Sequence, residues 1–341
     1  MNRTYIIAEA GVNHNGKLEL AYKLIEAAAA AGADAVKFQT FRAEELVVKS
    51  AQKAEYQKLR GEKESQLEML KRLELPLEDF AKLKAHSEQH GIEFLTSPFD
   101  FASTDAVEDW VRIYKIPSGE VTNLPFLKHV ARKGKPVILS TGMCTLGEVE
   151  NAVQTILSNQ PAVGGDFPAL TLLHCTTSYP CQMDEVNLKA MLTLTEAFKL
   201  PVGYSDHTLG IEVAIAAVAL GASVIEKHFT IDRSLSGPDH QASLEPSEFK
   251  NMVAAIRNVE RVMGNGIKMP TQSEMQIMSA VRKSLVTTTR LRAGTVLTEA
   301  MIAIKRPGTG ISPEYVSKVI GMTLKKDKDA DEVITWEDLK R

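Results

Sequence analysis

Two histidines and two lysines carry the chemistry this sequence can do. His207 closes the stretch Gly203-Tyr204-Ser205-Asp206-His207, and His228 closes Glu226-Lys227-His228. Short apolar runs precede them at 200–204 and 222–225, and between lies 209–220, an Ala/Val/Ile-rich segment of helical length. The pattern reads strand, helix, strand. Residues just past successive parallel strands sit side by side, so the two imidazoles are expected to meet at one rim of a sheet. With Glu226 and Asp206 close by, they make a candidate site for a divalent transition metal.

Lys37 and Lys115 lie inside otherwise apolar strand-like runs. A lysine aimed into a sheet's mouth loses water and needs an anion. Joined by hydroxyls from Ser118, Ser140 and Ser205, the pair suggests a cradle for phosphate or carboxylate. Glu9 and Glu120 are candidate acid–base groups. A metal to polarise a carbonyl and a cradle for a phosphorylated anion fit the addition of a phosphorylated three-carbon enol to an aldehyde. On residue chemistry alone a metal-dependent aldolase stays open.

The elements that must position these groups alternate with regularity. Strand-like runs occur at 5–8, 35–38, 93–96, 113–116, 137–140, 170–174, 202–204 and 223–225, with helical runs between them. Gly32, Gly91 and Gly134 close helices, and Pro136 and Pro201 precede strands. Eight strand–helix units in about 260 residues predict a (β/α)₈ TIM barrel, class α/β, with an open doubly wound sheet as the alternative. A barrel holds its chemistry beyond the C-terminal ends of its strands, and nearly every run here ends in a polar side chain. Ordinary caps and turns would account for Asn13, Ser97 and Asp100 but not for the two lysines. The charged segment 42–74 interrupts the rhythm and reads as a helical insertion at the catalytic rim, part of the substrate wall.

The predicted domains are a barrel at 1–265, a linker at 266–281 and a small module at 282–341. The polar stretch 268–279 could span roughly 35–40 Å if extended. The module replaces Ala-rich helices with short strands and turns, with short helices expected at 298–301 and 312–319.

Composition bounds the rest. The 341 residues are 44% hydrophobic and 24% charged, with a net charge of −3, which excludes a strongly basic nucleic-acid binder on overall charge. Within this total, 282–341 carry 12 Lys+Arg against 8 Asp+Glu, so a basic tail of +4 follows an acidic body of −7. No run of eighteen apolar residues predicts a membrane span, and the N-terminus enters a strand with no room for a signal peptide. Three cysteines, Cys144, Cys175 and Cys181, form no metal-spacing motif, and a reduced cytoplasmic setting is expected.

The motifs resemble those of the sialic acid synthase family. They are Glu9-Ala10-Gly11-Val12-Asn13-His14-Asn15-Gly16, Val36-Lys37-Phe38-Gln39, Thr96-Ser97-Pro98-Phe99-Asp100, Lys115-Ile116-Pro117-Ser118-Gly119-Glu120, Ser140-Thr141-Gly142-Met143, Ser205-Asp206-His207-Thr208, Glu226-Lys227-His228-Phe229 and Lys305-Arg306-Pro307-Gly308. They run in the family's order over nearly the whole chain. The resemblance implies a TIM barrel followed by an antifreeze-protein-like (SAF) module. It implies condensation of phosphoenolpyruvate with an N-acetylated mannose-type sugar to a nine-carbon 2-keto acid plus phosphate. His207 and His228 would hold Mn²⁺ or Mg²⁺. Lys37, Thr96, Lys115, Ser118, Ser140 and Ser205 would bind phosphoenolpyruvate, and Gln39, Tyr179 and Asp239 would face the sugar. Glu9 and Glu120 would sit near the reacting carbons. Arg306 of one subunit would reach its partner's barrel in a domain-swapped homodimer and contact the N-acetyl group.

Thr177, a further candidate substrate contact, stands where N-acetylneuraminate-forming members often carry Asn, and Gly237-Pro238-Asp239-His240-Gln241 departs from their usual pattern. The likeness leans to the bacterial branch with N,N′-diacetyllegionaminate synthases, whose acceptor is a 6-deoxy, 2,4-diacetamido sugar rather than N-acetylmannosamine. The alternatives are a phosphoenolpyruvate-dependent synthase acting on an aldose phosphate, and a non-catalytic carbohydrate-binding protein whose tail binds ice or glycans.

Overall fold

The structure is a computed structural model that describes residues 3–53 and 64–341. Residues 54–63 of the expected insertion, and the first two of the N-terminal strand reading, lie outside the described residues. The chain divides into two compact units, Met1–Asn265 and Gly266–Arg341.

The first unit is built on eight parallel strands in the order β3-β2-β1-β8-β7-β6-β5-β4. They are β1 (Tyr5–Gly11), β2 (Ala35–Thr40), β3 (Glu93–Pro98), β4 (Tyr114–Ile116), β5 (Val137–Ser140), β6 (Leu170–Cys175), β7 (Val202–Asp206) and β8 (Val224–His228). β1 pairs in parallel with both β2 and β8, and β3 lies beside β4, so the sheet curls into a barrel. Sequential neighbours all round the ring rule out the open doubly wound alternative, whose strand order reverses at a switch point. Helices α1 (Leu18–Ala30), α4 (Leu77–Gln89), α5 (Phe101–Ala106), α6 (Leu124–Ala131), α7 (Leu146–Asn159), α8 (Ala190–Phe198), α9 (Glu212–Ala219) and α10 (Pro246–Val262) form the outer layer. Two more, α2 (Ala43–Leu46) and α3 (Gln66–Leu73), come from the segment after β2, where a helical insertion is expected. A Ser65–Glu68 capping box opens α3.

Period-2 alternation explains how the barrel carries its site. Ile7, Ala35, Leu95, Ile113, Ile138, Leu173 and Val224 form one buried apolar cluster. Two residues further along the same strands stand Glu9, Lys37, Ser97, Lys115, Ser140, Cys175 and Glu226, all lining one cavity. One inward layer is a dry floor and the next is a polar mouth. The outward residues pack against the helices, as Ile6, Ala8, Val36, Phe94 and Tyr204 do.

The same alternation corrects the expectation for Asp206. It points out of the barrel, where its Oδ2 accepts from Lys227 Nζ at 2.7 Å with both side chains fully buried. Lys227 also donates to the Thr208 carbonyl, and Asp206 Oδ1 accepts from the Thr208 amide and hydroxyl. Asp206 is a structural ion-pair partner whose carboxylate oxygens are taken up by Lys227 and Thr208 rather than offered to a metal.

The second unit holds two antiparallel pairs, β9 (Ser284–Thr287) with β10 (Ile302–Lys305) and β11 (Thr323–Leu324) with β12 (Leu339–Lys340). They enclose a small core of Leu285, Leu291, Leu297, Ile311, Val319, Leu324, Ile334 and Leu339. Short helical turns stand at Glu299–Met301 and Pro313–Tyr315, the latter running into Val316–Val319. The linker expectation needs correction. Gln272–Val281 is a helix, α11, opened by a Thr271–Glu274 capping box. At about 1.5 Å per residue a helix spans less than half of an extended chain, so the 35–40 Å reach does not apply.

Candidate active site

The mouth of the barrel is a cavity of about 350 Å³. Register sets its geometry. Glu9 lies opposite Lys37 on one side and His228 on the other, and Ser205 lies opposite Glu226. Lys37 Nζ is 2.6 Å from Glu9 Oε2, 3.7 Å from Glu226 Oε2, and donates to Ser97 Oγ at 3.1 Å. Lys115 Nζ is 3.4 Å from Glu226 Oε1, which also accepts from the Ser205 hydroxyl at 3.0 Å. All four charged residues are at most 5% exposed.

Burial and pairing set their charge states. Burial raises the Glu9 carboxyl, Lys37 opposes the rise and Glu226 adds to it, so Glu9 is the member of the cluster readiest to hold a proton. Burial works in the same direction on Glu226, but Lys115 and Lys37 outweigh it and keep the carboxylate charged. Burial lowers the Lys115 ammonium, with Glu226 opposing. Lys37 is also penalised by burial, yet Glu226 and Glu9 hold it above the ordinary lysine value. Burial pushes Asp239 up to about 6, with Lys37 pulling the other way, and its Oδ2 lies 3.9 Å from His228 Nδ1.

His207 and His228 meet as expected, with ring centres 5.5 Å apart and the Tyr179 ring 4.1 Å from the first and 5.4 Å from the second. His207 Nδ1 is 2.7 Å from the Thr176 carbonyl, so that nitrogen carries the proton and donates. Its Nε2 is left as a lone pair, 3.5 Å from Ser205 Oγ. Burial lowers His207 to about 4 and His228 well below its ordinary value, so both are neutral at pH 7. His228 Nδ1 is buried without a hydrogen-bond partner. Two neutral imidazoles, one with its tautomer set by a backbone carbonyl, suit a divalent metal. Among the described residues no third His, Cys or carboxylate donor converges with them as a three-donor cluster. Substrate or water oxygens would complete such a site.

The cavity also holds Ser118, Ser140, Thr177, Gln39, Tyr179 and Asp239. Ser118 Oγ accepts from the Gly142 amide at 2.9 Å and lies 3.1 Å from Cys175 Sγ. A Cβ on Gly142 would come within 2.4 Å of Thr177 Oγ1 and 2.8 Å of Cys175 Sγ, so glycine is needed for this close approach. Ser140 Oγ and Thr177 Oγ1 are buried and unpartnered. Buried polar atoms seldom go unpaired, and several converging on one cavity point to a ligand that completes them.

Two expected site residues of the first unit, Thr96 and Glu120, do not line the cavity. The Thr96 hydroxyl pairs with Thr40 at 2.7 Å, behind the sheet, and its neighbour Ser97 faces the lysine instead. A one-residue step on a strand changes faces. Glu120 sits in the turn after β4 and accepts from Asn123 at 2.7 Å. The second carboxylate facing Glu9 and the lysines is Glu226, which the sequence reading placed beside the metal but not among the acid–base groups. Its alternation with His228 could have revealed it. Arg306 belongs to the second unit, where it is exposed and its Nε donates to the Val281 carbonyl at 2.9 Å.

Residues 24–268 match the NeuB family, and 282–340 match the SAF domain. The chain belongs to the NeuB family. It is similar to the N,N′-diacetyllegionaminic acid synthases of Campylobacter jejuni and Legionella pneumophila. Each is 50% identical over 336 residues, which is 98% of this chain and 99% and 94% of theirs. The crystal structure of N-acetylneuraminic acid synthetase from Leptospira borgpetersenii aligns with a TM-score of 0.71 at 36% identity, over 81% of this chain and 90% of that one. The chain is therefore a NeuB-family enzyme, a phosphoenolpyruvate-condensing sugar synthase, and the non-catalytic binding alternative is set aside. The NeuB barrel and SAF module are those the motifs implied.

Proposed function

We propose that this NeuB-family enzyme is an N,N′-diacetyllegionaminate synthase, joining phosphoenolpyruvate to 2,4-diacetamido-2,4,6-trideoxymannose with release of phosphate. The observation that carries the choice of acceptor is an apolar wall. The cavity is bounded by Val12, Leu46, Val47, Met69, Leu70 and Leu73, most of them from the inserted helices α2 and α3. Such a wall suits a methyl at C6 and a second acetamido group, and leaves the hydroxyls of N-acetylmannosamine unpaired. The names of the two 50%-identical relatives support the same reading.

In this reading Lys37 and Lys115 bind the carboxylate and phosphate, with Ser118, Ser140 and Ser205 donating hydroxyls. Glu226 holds both ammonium groups in place. His207 and His228 would hold a divalent metal, Mn²⁺ or Mg²⁺, which would supply Lewis-acid polarisation of the sugar's carbonyl. Gln39, Tyr179, Thr177 and Asp239 face the sugar. C3 of the enol attacks the aldehyde carbon, the aldehyde oxygen takes a proton, water adds at C2, and phosphate leaves. Glu9 exchanges a proton with the sugar oxygen or with that water. A cytoplasmic setting belongs to this reading; no helix among the described residues is long and apolar enough to cross a membrane.

Phosphate release from phosphoenolpyruvate with Mn²⁺ tests the acceptor. The diacetamido sugar is expected to exceed N-acetylmannosamine in kcat/KM by roughly 10–200-fold. Equal turnover, or preference for N-acetylmannosamine or a sugar phosphate, would overturn the assignment.

We also propose a domain-swapped homodimer in which Arg306 serves the partner's barrel, on the strength of the motif Lys305-Arg306-Pro307-Gly308. Arg306→Ala and His228→Ala should each be inactive alone. Mixed under conditions of subunit exchange, they should regain activity through heterodimers with one intact composite site. Exchange without recovery would show that Arg306 does not act across the dimer.

A further inference from the structure

Far from the reaction chemistry in role, the outer helices carry a second cluster of metal-binding side chains. Glu26 lies on α1, and His86 and His90 lie at the end of α4 and its cap. One ligand atom from each lies within 4.8 Å of the other two. His86 Nε2 is already 3.0 Å from Glu26 Oε1, and the two rings are 4.6 Å apart. The Tyr22 ring packs on His86 at 4.4 Å and restrains its orientation.

Helical spacing brings any i and i+4 pair to the same face, so the closeness of the histidines alone says little. The convergence of three donors from two helices says more. A hydrogen bond between them accounts for Glu26 and His86 but does not call for the His90 ring beside them. Two imidazoles four residues apart with a carboxylate from a neighbouring helix are a donor set for zinc, whose Zn–N and Zn–O bonds are near 2.0–2.2 Å. Tetrahedral donors then stand about 3.3–3.5 Å apart, so only a modest rotamer adjustment would close the site. Two imidazoles and one carboxylate suit zinc better than an ion such as Ca²⁺ that takes an all-oxygen shell.

Topology assigns the cluster a place. Barrel helices run back against their strands, and His90 and Gly91 lead directly into Glu93 at the start of β3. The cluster therefore sits toward the face opposite the mouth, where a barrel's residues serve stability rather than chemistry. We infer that Glu26, His86 and His90 form a surface zinc site that clips α1 to α4 and stabilises the barrel without entering the reaction.

The inference does not rest on the proposed reaction, and its test needs no turnover. Zinc alone is titrated calorimetrically into metal-free, full-length protein carrying His228→Ala, which disables the site at the mouth. One zinc per chain is expected, with a rise in Tm. Adding His90→Ala should weaken binding by roughly tenfold or more and abolish the rise in Tm. Glu26→Gln, a second exposed substitution that spares the helix, should weaken binding as well. Neither His90→Ala nor Glu26→Gln should alter turnover in an otherwise native enzyme. Absence of zinc binding, or binding and Tm unchanged by both substitutions, would overturn the site.

Discussion

Lys115→Met is expected to lower kcat/KM for phosphoenolpyruvate by about 30-fold to several thousand-fold. The figure follows from losing one buried charge-assisted contact, roughly 2–5 kcal/mol. Lys115 is 2% exposed, and its ammonium stands 3.4 Å from Glu226. Methionine keeps the apolar stem between the floor of the barrel and its mouth but removes the cation. Glu226 would then rely on Lys37, 3.7 Å away, and on the Ser205 hydroxyl. The loss should therefore appear both in KM, through the missing anion contact, and in kcat, through the loosened carboxylate. A circular-dichroism melt separates this from unfolding. Folded protein with unchanged kcat and KM would remove Lys115 from the site.

His228→Ala should lose at least about a thousandfold in turnover, because a metal acting as Lewis acid contributes several kcal/mol to such a step. His228 stands at the end of β8, neutral, with an unpartnered Nδ1. The substitution removes half of the imidazole pair and leaves the Asp206–Lys227 ion pair behind it untouched, so the fold should persist. Native enzyme should be silenced by a chelator and restored by Mn²⁺, while the variant should not respond to added metal. Near-native turnover of the variant in chelator would show that the metal assignment is wrong.

The barrel was legible because its signals are local. Apolar runs of strand length, glycines after helices and prolines before strands recur often enough to count eight units. The strands are longer than those runs, however. β2, β3, β7 and β8 continue two or three residues past them, through Gln39-Thr40, Ser97-Pro98, Ser205-Asp206 and Glu226-Lys227-His228. Polar side chains in a strand that ends at a barrel mouth look like the beginning of a loop. The sequence places Thr96, Ser97 and Asp206 alike at strand ends, and the role given to Thr96 follows from the family resemblance rather than from a face of the strand. Once the strand is extended, alternation places Ser97, Ser205, Glu226 and His228 inward and Thr96, Asp206 and Lys227 outward.

By itself the sequence determined which chemical groups stand at the strand ends, since residue types and their order are local properties. The two lysines, the two histidines and Glu9 could be named from it, as could the motifs that carry the family. Tertiary structure alone decided which groups face one another. Curling of the sheet brings β1 against β8, so that Glu9 from the first strand, Lys37 from the second and His228 from the last share one level. Glu226 became the centre of the charge network only because ring closure sets it within reach of Lys37 on β2 and Lys115 on β4, contacts that no spacing along the chain encodes. The charge states follow the same division. Burial and those long-range neighbours protonate or ionise each group, and both depend on the folded barrel rather than on the residue.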